Sequence, residues 1–258
     1  MIDEQVVFSP VQARSVAQGL LYRQLAEGFA YPTAERLRAW QDGSTFGAIA
    51  EAADALDEPE LQAAVERLEQ SLADVGQVSQ PAVDAADSRE ASRLTLEEEY
   101  TYLFLRQAVA PPYEGSYLVQ SFFVQPQMLA DAGGFYSAFG LQVAGDLADH
   151  LGAELEFLSV LCLKEAYARE QGWAERAETC VQARRRFLAE HIGRWLPVFV
   201  TRVKENARLP LFVALAELTS TLVAFDCAAF GITPDQSGVF VPEPTDAREV
   251  PDDGMCAA

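Results

Sequence analysis

The sequence predicts an all-α protein, and three observations carry that prediction. Apolar residues return at three- and four-residue spacing along nearly the whole chain. No segment alternates apolar and polar residues as a half-buried strand does, and no repeat of fixed period is present. Proline and glycine punctuate the periodic segments where helices should start and stop. The 258 residues, half of them hydrophobic, allow a sizeable core in one multi-helix, bundle-like domain or two small ones.

The first segment, VQARSVAQGLLYRQLAEGFAYP, sets Val16, Leu20, Tyr22, Leu25 and Phe29 near one helical face, and Pro32 stops it. TAERLRAW and TFGAIAEAADAL read as shorter helices. EPELQAAVERLEQSLADV follows, with Leu61, Val65, Leu68 and Leu72 at helical spacing. Periodicity is then lost through residues 76–92, which read as a flexible linker. A possible N-terminal subdomain, 1–75, is thereby set apart from a C-terminal one, 93–232.

A helix from about Leu94 to Ala108 places Leu96, Tyr100 and Leu103 on one stripe, and the loop APPYEGSY follows. VQPQMLADAGGFYSAFGLQV reads as a helix broken by Gly133 and Gly134 and ending near Gly140. The clearest amphipathic helix has Leu147, Leu151, Leu155, Leu158 and Cys162 stepping by four, four, three and four. RAETCVQARRRFLAEHI should end at Gly193 as a left-handed cap. RWLPVFVTRVKEN restarts with Pro197 in its first turn. LPLFVALAELTSTLVAFDCAAFG is the last long helix. The acidic, proline-rich tail, 233–258, is expected to be mobile at its end.

Nineteen basic against 39 acidic residues give a formal net charge of -20. Such a surface repels nucleic acid and anionic lipid and attracts basic partners. The N-terminus lacks the apolar core of a secretory signal, and no apolar run is expected to span a bilayer, which points to a cytoplasmic protein. Cys162, Cys180, Cys227 and Cys256 show no C-x-x-C spacing and read as reduced thiols, with Cys256 exposed. Phosphate-loop, dinucleotide, nucleophile-elbow and H-E-x-x-H motifs are missing.

With only two histidines, His150 and His191, a histidine triad or multi-histidine metal centre has little to work with. Asp146, His150 and Glu154 are four apart on one helix, too few ligands for a di-iron site, so no metal is expected. Asp149 is placed to cap the helix start, and the polar pair entering an apolar groove also suits partner recognition. His191, one turn from Trp195, reads as a packed residue, and Arg184 to Arg186 as a solvated face or partners for the chain's own acids.

YTYLFLRQAVAPPYEGSYL resembles the helix-plus-loop of the TorD/DmsD/NarJ family of molybdoenzyme maturation chaperones, roughly Y-x-x-L-F, a spacer, then P-P-x-x-S-x-Y. FYSAFGLQVAGDLADHLGAELEFLSVL is similar to that family's D-H-[LI]-x-x-E-L-E-F signature, although Leu147 stands where the family often has proline. FLAEHIGRWLPVF and the N-terminal LLYRQLAEGFAYP complete the order, so the resemblance covers most of residues 16 to 230. It implies a TorD-like, cytoplasmic, non-catalytic protein without a cofactor of its own. It also implies a partner: the apo catalytic subunit of a molybdenum enzyme and its basic twin-arginine signal peptide. The positions matching the peptide-binding patches are Tyr113, Glu114, Ser116 and Tyr117 in the loop, with Asp149 and His150 in the second signature. Glu154, one turn on, joins them as a candidate. Pro111 and Pro112 should stiffen the loop and present Tyr113, Glu114 and Tyr117 to a client. A monomer and a homodimer are both compatible with the sequence. A scaffold without a client peptide, and less so a nucleotide hydrolase, are the competing readings.

Overall fold

The computed structural model describes residues 9–77, 95–118, 125–144 and 147–242. Among them the regular structure is helical, with one isolated antiparallel bridge between Tyr113 and His150. The expected linker therefore falls outside the described residues except at its start, where α4 ends.

Helix α1 (Pro10–Gly28) begins in a capping box. Ser9 Oγ accepts from the Gln12 amide at 3.3 Å, and the Gln12 side chain accepts from the Ser9 amide at 2.8 Å. Its core face is centred on Leu21 and Leu25 and includes Ala17, Tyr22 and Ala26, whereas Leu20 is 43% exposed, contrary to the sequence stripe. The displacement follows from close packing against α8: a Cβ on Gly19 would lie 2.9 Å from Leu163 Cγ. Helices α2 (Ala34–Gln41), α3 (Ser44–Asp54) and α4 (Pro59–Gln77) follow. Leu61, Val65 and Leu68 of α4 are buried against α11.

Helix α5 covers 95–105 and ends in a π-helical turn, Thr101–Leu105, three residues short of Ala108, which takes a positive φ of 44°. The one-turn α6 (Gly115–Leu118) and α7 (Gln125–Ala138) come next. Contrary to expectation, α7 runs unbroken through Gly133 and Gly134. Both glycines stand in open space while Tyr136 is buried, and packing of that flank overrides the weak local propensity.

Helix α8 (Leu151–Glu170) starts four residues later than Leu147, which lies off the helix and is 46% exposed. Helices α9 (Ala174–Glu190) and α10 (Ile192–Asn206) meet at His191. Gly193 is not the expected left-handed cap, since it sits inside the first turn of α10. Its role is close approach: an added Cβ would meet Leu188 O at 2.3 Å and Pro234 Cγ at 2.6 Å. Pro197 lies deeper in α10 than its first turn and cannot donate to Gly193 O. Gln236 Nε2 reaches that carbonyl instead, at 3.4 Å.

Helix α11 (Pro210–Phe230) ends at Gly231, whose φ of 61° makes it a left-handed cap. Its length and composition suffice to cross a membrane, which corrects the expectation that no run is apolar enough. Here its apolar face packs on α4 and α10.

A polar network is buried within the apolar bundle. Asp226 of α11 accepts from Gln18 Nε2 and Tyr22 hydroxyl of α1, each at 3.0 Å. Arg184 of α9 lies 3.6 Å from Asp226 and 3.3 Å from Glu165 of α8, and donates to Cys162 Sγ at 2.8 Å. Arg184 is buried, so the arginine run is only partly a solvated face. Arg186 lies outside and pairs with Glu190 at 2.9 Å. Cys162, Cys180 and Cys227 are buried free thiols, and Cys256 is outside the described residues.

Candidate functional site

The proline loop is fastened to the start of α8 by backbone bonds. The Leu151 amide donates to Pro112 O at 2.8 Å, and the Glu114 amide donates to Asp149 O at 2.9 Å. Pro112 supplies only an acceptor, which suits one side of this short ladder. The two segments singled out in the sequence, 113–117 and 149–154, thus meet in space.

Their side chains interlock. Asp149 Oδ2 accepts from the Gly115 amide at 3.0 Å, so Asp149 caps α6 from a different segment. The cap of α8 is His150, whose Nδ1 accepts from the Gly152 amide at 3.0 Å. That exchange of roles corrects the expectation that Asp149 caps its own helix. Tyr113 is half-buried and sets its ring edge-on to His150 at 5.1 Å.

The loop turns two of the residues it was expected to present inward. Glu114 is 1% exposed, and Tyr117 is fully buried in a stack on Trp195 with ring centres 5.3 Å apart. Ser116 is half-buried on the outer side of α6. Glu114 Oε2 lies 3.0 Å from His191 Nδ1, and His191 Nε2 lies 3.6 Å from the exposed Asp131 carboxylate of α7. Behind them Glu154 accepts from Trp195 Nε1 at 3.2 Å. His191 is sandwiched by aromatics, stacked on Phe187 at 4.7 Å and edge-on to Phe135 at 5.3 Å.

Glu114, Asp149 and Glu154 are thus three buried carboxyl groups close enough to act on one another, and Glu114 is the one in contact with His191. Burial pushes Glu154 well above the usual carboxylate range, and the neighbouring Glu114 and Asp149 push the same way, against the Trp195 hydrogen bond. Tyr136, whose hydroxyl donates to Ala148 O at 2.6 Å, is raised by burial and by the same acids. Asp146, the first member of the four-spaced triad, lies outside the described residues, and no metal-binding group occurs among those described.

On the other side of His150 opens a groove of about 540 Å³ between α1, the α5 end and α8. Tyr31, Leu105, Tyr136, Val143 and Phe157 give it an apolar and aromatic lining, and Glu27 of α1 and Glu156 of α8 add carboxylates to it. Tyr31 and Leu105 are exposed at 41% and 51%. Sequence reasoning placed His150 at an apolar groove but named none of the residues of α1 and the α5 end that line it, and it read His191 only as a packed residue. The available signal for His191 was its burial beside an acidic loop, since a buried imidazole needs a hydrogen-bond partner.

Residues 54–201 match the family model described as nitrate reductase delta subunit. Over 224 residues the chain is 29% identical to the perchlorate reductase assembly chaperone protein of Dechloromonas aromatica (strain RCB), covering 81% of this chain and 88% of that one. It is 29% identical over 232 residues to the chaperone protein TorD of Shewanella loihica, covering 83% and 93%. It is 36% identical over 147 residues to the chlorate reductase assembly chaperone protein of Ideonella dechloratans, covering 54% and 72%.

Proposed function

The chain belongs to the nitrate reductase delta subunit family, and from that premise we propose that it is an assembly chaperone for a molybdenum-containing reductase. It binds the apo catalytic subunit in the cytoplasm through a basic N-terminal segment of twin-arginine type, and assists cofactor insertion before export. It does so by binding rather than catalysis.

The observation that carries this reading is the groove beside His150. An extended or helical peptide needs apolar surface for its uncharged part and acceptors for its cations. Tyr31, Leu105, Val143 and Phe157 offer the first, and Glu27 of α1 and Glu156 of α8 the second. A carboxylate suits arginine, whose planar fork takes two hydrogen bonds at once. His150 forms one wall of the groove, with Tyr113 packed edge-on against it. Glu114, Asp149 and Glu154 stand behind that wall, and a client reaches them only when the 113–117 loop moves.

The test is calorimetric titration with a synthetic peptide of two adjacent arginines followed by an apolar stretch. Ala153 lines the groove from α8, and Ala153→Phe fills the space while keeping the helix. Affinity is expected to fall at least about tenfold, which is about 1.4 kcal/mol, with the melting temperature little changed. Equal binding by wild type and variant removes the groove from the reading.

A further inference from the structure

The chain beyond α11 does not leave the protein at Gly231. Residues 232–240 run across the start of α10 to the proline loop, held at a few polar points. Arg194 donates through Nε to Asp235 O at 3.0 Å and through Nη2 to Ser237 O at 3.2 Å. Asp235 in turn accepts from the Ser237 amide at 2.9 Å and from its hydroxyl at 2.7 Å. Pro234 rests on Gly193, where no side chain intervenes. The last pin is the Phe240 amide, which donates to Tyr117 O at 3.0 Å. Tyr117 belongs to the loop that buries Glu114.

Two features make this strap releasable. Most of residues 233–238 are exposed, and a groove of about 540 Å³ lined by Leu196, Val223, Cys227 and Pro234 lies against its inner side. The strap is thus held by hydrogen bonds at the surface and by Ile232 and Val239, which are only partly buried against the core. What it holds down is costly. Glu114, Asp149 and Glu154 are buried close together, with Glu114 on His191, and both His191 Nε2 and the Tyr117 hydroxyl are buried without a hydrogen bond among the described residues. Buried polar groups so incompletely satisfied favour an alternative arrangement in which the loop opens.

We infer that residues 232–240 form a latch that keeps the 113–117 loop closed over its carboxylates, with Arg194 as the positioning residue that sets the latch. Release of the strap frees Tyr117 and lets Glu114 exchange His191 for a cationic group of the client. This rests on the client-binding reading above, and its mechanical part stands apart from it.

The experiment uses the full chain, with Arg194→Gln as the main variant and Phe240→Pro, which deletes the amide bound to Tyr117 O, as the second. Hydrogen exchange is followed at the amides of Glu114, Gly115 and Tyr117, each of which is bonded within the closed loop. Both variants are expected to exchange there at least about tenfold faster, while amides in α1 and α11 keep their rates, as local opening requires. Unchanged loop exchange, or acceleration spread over the whole bundle, overturns the latch. The two-arginine peptide is then added, and its association rate with the Arg194 variant is expected to exceed that with wild type several-fold. Equal rates overturn the gating role. Peptide binding to neither protein overturns both the client reading and gating, whereas the exchange data alone decide whether the strap holds the loop.

Discussion

Glu154 is a residue whose acidity its surroundings alter. Its carboxyl is held above the ordinary range by burial and by Glu114 and Asp149. The folded protein therefore keeps a proton that the unfolded chain gives up once pH passes the ordinary glutamate range. Between those two pKa values the folded state binds more protons, so this group makes stability fall as pH rises. Glu154→Gln keeps an acceptor for Trp195 Nε1 and removes the titration. The variant is expected to melt higher than wild type at about pH 8 and alike at about pH 4, below the unfolded value. A difference that is the same at both values, measured in parallel thermal melts, rejects the protonated carboxyl. At this scale the sequence was informative about which residues matter and silent about where they point. Tyr113, Glu114, Tyr117, Asp149, His150 and Glu154 do come together. Their orientation was hidden because it depends on Asp149 capping α6 across a gap of 34 residues, a contact without a local pattern.

Among the elements, α1, α8, α9 and α11 are joined by the network around Arg184. Its guanidinium balances Glu165 and Asp226, and Asp226 is itself tied to Gln18 and Tyr22. Burial raises the Asp226 carboxyl, and Arg184 is the foremost influence opposing that rise. Removing one partner of such a group leaves the others desolvated and uncompensated, at a cost of about 3–5 kcal/mol. Arg184→Met, similar in bulk, is expected to lose about that much in urea unfolding, whereas Arg186→Met at the surface loses at most about 1 kcal/mol. Similar losses for the two would remove the network from the account of stability. Helix existence was readable throughout, because burial of one face imposes the 3.6-residue period. Helix ends were less so. Leu147 continues the period of α8 yet lies outside it, since His150 caps the helix. Gly193 carries the residue type of a C-cap, but its place is set by the strap at Pro234. The buried Arg184 sits in a run of three arginines, and only the bundle's third dimension separates it from its exposed neighbours.

At the scale of the molecule, charge and shape act together. A formal net charge of -20 creates a field that draws cations from beyond contact distance. The groove concentrates that field between Glu27 and Glu156, on apolar walls of low dielectric. Glu27 is partly offset by Arg36, whose Nε lies 2.9 Å from it. A Glu27→Gln change therefore does more than remove one acceptor, because it leaves Arg36 facing an incoming basic peptide. Steering of this kind is long-ranged and screened by salt, with a Debye length of about 10 Å at 0.1 M. The association rate of the two-arginine peptide is thus expected to fall at least about tenfold between low and high salt, while its dissociation rate changes less. Glu156→Gln should flatten that salt dependence, and Glu27→Gln should flatten it further. Stopped-flow association at several ionic strengths distinguishes steering by the groove from a general effect of acidity. A slope that all three proteins share assigns the effect to net charge alone, and a rate indifferent to salt leaves the acidity as a determinant of solubility.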